Sequence, residues 1–289
     1  MPPRRGEKKR DLRVSGSKRA GIRLITLLTD FGVADYFVGA LKGVILSINP
    51  SVSIVDLTHE IPPQDVAAGA FTLMASYESF PSQTVHVAVV DPGVGSDRRP
   101  ILVWAGNHFF VGPDNGIFSY IYERETGHKT FHLKNEKYFR LPVSATFHGR
   151  DIFAPVAAAL SVGTEPAEFG PEINDEKRLP SLNLVKQTPG KIKARIIHID
   201  RFGNCITNIT RSVLPLEMES RAKLQINGET IRSFRRFFSD SHDKSGGSEK
   251  LFGVWGSAGF LEIAAMNRSA AKRLRAKTGG VVVLKVKDE

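Results

Sequence analysis

The densest concentration of chemically capable residues is Val89-Val90-Asp91-Pro92-Gly93-Val94-Gly95-Ser96-Asp97-Arg98-Arg99. An apolar run brings a carboxylate to its tip, a proline and two glycines turn the chain within a few residues, and two guanidiniums follow. Such a turn lets Arg98 or Arg99 fold back on Asp91. A carboxylate beside a guanidinium is held ionised and can accept hydrogen bonds from water. The same residues also suit an aspartate that closes its own turn with both arginines in solvent, and the segment by itself fits either arrangement.

Two further clusters carry polar groups at a turn. Phe147-His148-Gly149-Arg150-Asp151 places a histidine next to a glycine that permits close approach of a ligand, with Asp151 at the N-cap or first turn of a helix. His148 could orient a nucleophile, although a single histidine equally suits a structural role. Asp200-Arg201-Phe202-Gly203-Asn204 lies between two apolar runs. There an aspartate could bind a cationic amine, an asparagine the edge of a base and a phenylalanine its face; Asp, Gly and Asn are also ordinary β-turn residues. Walker-type Gly-Lys-Ser/Thr, Gly-x-Ser-x-Gly, His-Glu-x-x-His and Gly-x-Gly-x-x-Gly patterns are all absent, which argues against nucleoside triphosphatase, α/β-hydrolase, zincin and dinucleotide-binding readings.

These clusters need a scaffold. From Leu24 onward short apolar runs alternate with amphipathic stretches, the pattern of parallel strands joined by crossover helices. Strands are predicted at 24–28, 53–56, 85–90, 101–104 and 109–111, and helices at 35–48, 65–77, 115–123 and 151–160. Asp30, Asp56 and Asp91 each end an apolar run, where open α/β sheets gather their ligand sites. After about residue 175 the texture becomes β-rich, with strands predicted at 194–199, 205–209, 223–226, 260–264 and 281–286. The expected fold is an α/β sandwich domain with a mostly parallel sheet over 23–178, a linker at 179–190, and a smaller β-barrel-like domain over 191–289. Residues 239–250, with Gly246-Gly247, read as a surface loop.

Composition narrows the class. The chain has 289 residues, 41% of them hydrophobic and 24% charged, which suits a globular protein of one or two domains. No apolar stretch is long enough to span a membrane and none resembles a signal peptide, so a cytoplasmic location is expected. The single cysteine, Cys205, sits in an apolar run and reads as a buried structural thiol. Of the net charge of +10, residues 1–22 and Arg23 together supply +7. That basic tail has almost no large apolar residue and is expected to be disordered; without interleaved aromatics it gives no support to nucleic-acid binding.

Taken together the chain resembles the SAM hydroxide adenosyltransferase family, a relative of the fluorinase and chlorinase enzymes. The matching stretches are Leu28 to Gly32, Asp56 to Pro62, Val90 to Arg98, Gly112 to Gly116, Thr146 to Asp151, Asp200 to Asn208 and Gly256 to Ile263, in family order across almost all of residues 24–270. The resemblance implies hydrolysis of S-adenosyl-L-methionine to adenosine and L-methionine by a homotrimer, with each active site between the N-terminal domain of one subunit and the C-terminal domain of the next. It implies Asp91, Arg98 and His148 as the water-handling set, with Arg98 seven residues after Asp91 as in the family pattern. The halogenases have a tyrosine at the position of Asp91, so an aspartate here favours water over halide. By the same resemblance Asp30 holds the ribose hydroxyls, Asp35 and Asp200 lie near the methionine end, Asn204 meets adenine, and Phe202 and Phe260 form apolar walls. Ser257 and Glu262 also fall in substrate-binding stretches. No metal and no cofactor are implied, since a sulfonium leaves as a neutral thioether without acid assistance. Halide-dependent adenosyl transfer and a non-catalytic S-adenosylmethionine or adenosine sensor are the rival readings.

Overall fold

The computed structural model describes residues 24–182, 186–188, 190–239 and 251–286. The basic tail and nearly all of the surface loop expected at 239–250 lie outside the described residues.

Eleven elements build the N-terminal half, in the order β1 (Leu24–Thr29), α1 (Phe37–Ile48), β2 (Ser53–Thr58), α2 (Val66–Ser76), β3 (Val85–Val89), β4 (Pro100–Ala105), β5 (His108–Pro113), α3 (Ser119–Arg124), β6 (Lys129–His132), α4 (Ala154–Ser161) and β7 (Glu172–Ile173). They form one seven-stranded sheet in the order β2-β1-β3-β5-β4-β6-β7. The strands β2, β1, β3 and β5 pair in parallel, and β4, β6 and β7 extend the sheet antiparallel. Strands β1 and β3 are buried on both faces, as expected of continuous apolar runs covered by helices. Ile25 and Leu27 point into one apolar cluster with α1 and α4, whereas Leu28 joins a second cluster with α2 and α3. The result is a three-layer sandwich in which β1 and β3 end side by side, placing Asp30 near Asp91.

Two expected helices differ in extent. The one predicted at 115–123 is confined to α3, because Asn115 and Gly116, the latter at φ +99°, make a turn before it. The one predicted at 151–160 begins earlier, as a widened π turn over Gly149–Phe153 that continues directly into α4.

The C-terminal half contains β8 (Lys186–Thr188), β9 (Lys191–Ile199), β10 (Cys205–Thr210), β11 (Ala222–Ile226), β12 (Glu229–Ile231), β13 (Phe234–Arg235), β14 (Leu251–Trp255), β15 (Phe260–Ala265), α5 (Ala270–Leu274) and β16 (Val281–Val286). Its nine-stranded sheet runs β12-β11-β16-β9-β10-β15-β14-β13, with β8 added on β9. This sheet is curled into a half-barrel. Its apolar centre includes Cys205, whose thiol burial pushes up to about 11.

The halves share an interface. Phe71 of α2 stacks on His198 of β9 at 4.7 Å and meets Phe260 of β15 at 6.2 Å. Asn208 donates through its Nδ2 to the Leu182 carbonyl at 2.8 Å, fastening the connecting segment to β10. Asp114 and Ser119 hold that segment on the other side, accepting from Lys177 N at 2.8 Å and from Leu179 N at 2.7 Å. Among the described residues, no helix is long and apolar enough to cross a membrane.

Candidate active site

The β3 strand ends at Val89, and the next residues turn as their types dictate. Val94 N donates to the Asp91 carbonyl at 3.2 Å, and Ser96 Oγ donates to the Gly93 carbonyl at 2.7 Å. Gly95 stands at φ +78°, and a Cβ there would lie 2.2 Å from the Ala145 carbonyl oxygen. Glycine therefore serves two purposes: it reaches the left-handed region without strain, and it lets the turn touch the segment leading to His148.

Arg98 folds back on Asp91. Its Nε donates to Asp91 Oδ1 at 3.1 Å and its Nη2 to Oδ2, a two-point fork in which both side chains are about 95% removed from solvent. Nη2 also lies 3.1 Å from His148 Nδ1. A guanidinium can only donate, so Nδ1 accepts and the ring proton of neutral His148 is on Nε2. Burial, and next the Arg98 charge, push His148 below its usual range, against the weaker pull of Asp91 and Asp151. Phe153 lies under the Arg98 guanidinium at 5.4 Å. Arg98 Nη1 is buried without a protein partner among the described residues.

Arg99 settles the choice between the two arginines. It turns the other way, its Nε donating to buried Asp114 at 2.8 Å and its Nη1 and Nη2 to Asp175 at 2.8 and 2.9 Å. Arg99 is a structural tie to the connecting segment.

Asp30 closes β1, and its Oδ2 accepts from Gln64 N at 2.8 Å. Behind it, Thr29 Oγ1 contacts His59 Nδ1 at 2.8 Å and the His59 carbonyl accepts from Gly32 N at 2.8 Å, so the 59–64 segment fixes the 30–32 turn. His148 precedes the π turn, which is braced from within by Asp151. That fully buried carboxylate accepts from Arg150 at 2.7 and 2.8 Å, from Ser144 N at 2.9 Å and from Arg140 at 3.2 Å. It is a first-turn residue that caps no helix. Asp30, Asp91 and His148 line one cavity of about 430 Å³, whose walls include Phe31, Phe37 and Phe147.

A second cavity of about 1070 Å³ lies in the C-terminal half, lined by Asp200, Phe202, Asn204, Ser257 and Glu262. Asp200 organises its own turn, accepting from Phe202 N at 3.0 Å, Asn204 N at 2.8 Å and Asn204 Nδ2 at 2.9 Å. Gly203, at φ +84°, is pressed against Ser269, and α5 donates Ala271 N to its carbonyl at 2.8 Å. Phe202 is thereby projected outward, 78% exposed. Burial and then Asp200 raise Glu262 to about 7. Trp255, Phe238 and Asn267 also line this cavity.

Among the described residues, the expected site residues that line these two cavities fall into two groups, Asp30, Asp91 and His148 in one and Asp200, Phe202, Asn204, Ser257 and Glu262 in the other. Phe260 stands apart, buried at the domain interface against Phe71. Asp35 is exposed just before α1 and lines neither cavity. Sequence reasoning missed Gln64, whose backbone N–H holds Asp30 from a left-handed φ of 66°. It also missed the aromatic wall of Phe31, Phe37 and Phe147, whose rings meet at 5.2 to 6.0 Å although they come from three segments. The one signal available was Phe31 and Phe147 each adjoining a singled-out residue.

Comparison with known proteins gives two family matches, one in each half of the chain. Residues 25–170 match the SAM hydroxide adenosyltransferase N-terminal domain and 194–283 the C-terminal domain. The chain belongs to the SAM hydroxide adenosyltransferase family. It is 35% identical over 258 residues to the (R)-S-adenosyl-L-methionine hydrolase of Methanocaldococcus jannaschii, covering 87% of this chain and 91% of that one. It is 41% identical over 205 residues to the enzyme of the same name from Salinispora tropica, covering 70% and 78%. A solved structure of an uncharacterized conserved protein from Thermotoga maritima superposes with a TM-score of 0.82 at 33% identity, covering 90% of this chain and 99% of that one. This family member is an enzyme of the hydrolase branch by those similarities.

Proposed function

We propose that the protein hydrolyses S-adenosyl-L-methionine, taking the (R) sulfonium epimer named for its relatives, to adenosine and L-methionine. The observation that carries this reading is the Asp91–Arg98–His148 arrangement at the wall of the N-terminal cavity: a charge-compensated carboxylate beside a neutral imidazole whose proton is directed away from Arg98. That pair suits one water. Asp91 accepts a hydrogen from it, His148 Nε2–H donates to its oxygen, and a lone pair remains for in-line attack on the ribose 5′ carbon. The sulfonium departs as a neutral thioether, so no proton need be delivered to it. Positioning and water exclusion supply most of the acceleration and base assistance adds roughly 10²–10⁴-fold. Asp30 holds the ribose hydroxyls.

The separation of the two cavities supports an assembly in which the N-terminal cavity of one subunit faces the C-terminal cavity of the next. We take this to be a homotrimer, with Asp200 and Ser257 at the methionine end and Asn204 and Phe202 at adenine. A cytoplasmic enzyme that needs no metal or cofactor fits the chemistry and the lone buried thiol.

Incubation of the protein with substrate in halide-free ¹⁸O-water tests the reaction. Adenosine labelled at its 5′ oxygen together with methionine is expected. Bound but intact substrate would make the protein a sensor, and 5′-chloro-5′-deoxyadenosine formed in added chloride would make it a halogenase.

A further inference from the structure

Three aspartates end apolar runs in the sequence, and two of them, Asp30 and Asp91, line the N-terminal cavity. The third, Asp56 of β2, lines neither cavity. Lys42 of α1 donates through Nζ to its Oδ2 at 2.6 Å, and His59 Nε2 stands 3.1 Å from its Oδ1, off the line of an ideal hydrogen bond. Partial burial pushes the Asp56 carboxyl up, but the Lys42 and His59 contacts outweigh it and leave the group below its usual range. On its other side the His59 ring places Nδ1 2.8 Å from Thr29 Oγ1, which accepts from Phe31 N at 3.2 Å.

A carboxylate, an imidazole and a hydroxyl in series are the parts of a nucleophile-activating triad. Thr29, however, is fully buried at the end of β1, so no substrate reaches its hydroxyl. The direction of the hydrogens shows what the series does instead. Ionised Asp56 only accepts, so His59 Nε2 carries the hydrogen and, in the neutral ring, Nδ1 accepts from Thr29. The one hydrogen of the hydroxyl is spent on His59, and its lone pairs are left for Phe31 N. The hydroxyl thus joins the residues on either side of Asp30. His59 also accepts Gly32 N on its own carbonyl at 2.8 Å, so one residue holds the 29–32 turn at both ends.

We propose that Asp56, His59 and Thr29 are positioning residues for Asp30, a relay running from an exposed carboxylate to a buried hydroxyl that fixes the turn presenting Asp30 to the ribose hydroxyls. This rests on the reading of Asp30 as the residue that holds those hydroxyls.

Calorimetric titration of the full chain with adenosine and with 2′,3′-dideoxyadenosine, which lacks both ribose hydroxyls, tests this. Thr29→Val keeps the side-chain shape and removes the hydroxyl. It is expected to weaken adenosine by about tenfold, the scale of a charge-assisted hydrogen bond, and to leave the dideoxy nucleoside unchanged. Thr29→Ser is expected to restore adenosine binding. Thr26→Val controls for a merely structural loss: Thr26 is an equally buried threonine of β1, its Oγ1 2.7 Å from His86 Nδ1, but it stands three residues before Thr29 and away from Asp30. That variant is expected to change neither affinity. Asp56→Ala cuts the relay at its exposed end, where folding is not at stake; adenosine weakens in the same direction, with no further loss in the Thr29→Val background. No loss in Thr29→Val, equal losses for both nucleosides, or the same loss of adenosine preference in Thr26→Val would overturn the relay. Additive losses from Asp56→Ala and Thr29→Val would overturn it as well, by separating its two ends. Equal affinity of the unmodified protein for the two nucleosides would overturn the reading of Asp30 itself, and the relay with it, before any variant is made.

Discussion

Arg98 and Arg99 are sequence neighbours committed to different surroundings, and their variants separate catalysis from stability. Arg99→Ala leaves buried Asp114 short of its charged partner, which is expected to cost about 1–3 kcal/mol in urea unfolding with turnover retained. Arg98→Lys replaces the two-point fork on Asp91 by a single contact and is expected to lower turnover with little change in stability. Asp91→Asn keeps the shape of the wall and removes the proposed base; turnover is expected to fall at least about tenfold while affinity for substrate is retained, and unchanged turnover would remove Asp91 from the reaction. In the proposed reaction His148 works as the neutral imidazole, and its protonation is opposed by burial and by Arg98. The neutral form therefore persists below the ordinary histidine value of about 6.5, and the activity dependent on it is lost only as pH falls through that lowered value. A rate profile with its histidine limb above pH 7 would contradict this.

At the scale of elements, the site depends on two turns that touch through one glycine. Gly95→Ala brings both a strained φ and a clash with the Ala145 carbonyl, a cost on the order of 1–3 kcal/mol. Because the displaced segment carries His148, a disproportionate loss of turnover is expected, read as a fall in kcat at temperatures where the variant remains folded. The strand ends were legible in the sequence, since apolar runs closing on Asp30, Asp91 and Asp200 mark where a sheet delivers side chains. The interlock between turns was not: nothing near Gly95 in sequence names Ala145, and nothing near Asp30 names Gln64. The π turn at 149–153 escaped for a related reason, since its apolar pattern is the same as that of the α-helix it leads into. Strand β14 was hidden by Gly253 in a short run, and only pairing with β15 makes it a strand. The two arginines could not be told apart before their partners at 114 and 175 were placed.

At the scale of the whole molecule, the proposed catalytic wall and recognition turn line separate cavities, and complementation tests whether they meet between copies. An Asp91→Asn chain and an Asp200→Ala chain, each impaired alone, are expected to regain about a quarter of full activity when refolded together in equal amounts, since a working site needs the intact half from each. Mixed chains no more active than their average would place both halves of the site within one chain. The joint between the domains adds a separate constraint. Phe71, Ile197, Ile206 and Phe260 belong to a single buried cluster contributed by both halves. Neither half presents a finished surface to the other, so a recombinant carrying one domain from a distant relative is expected to lose stability unless α2, β9, β10 and β15 are matched together.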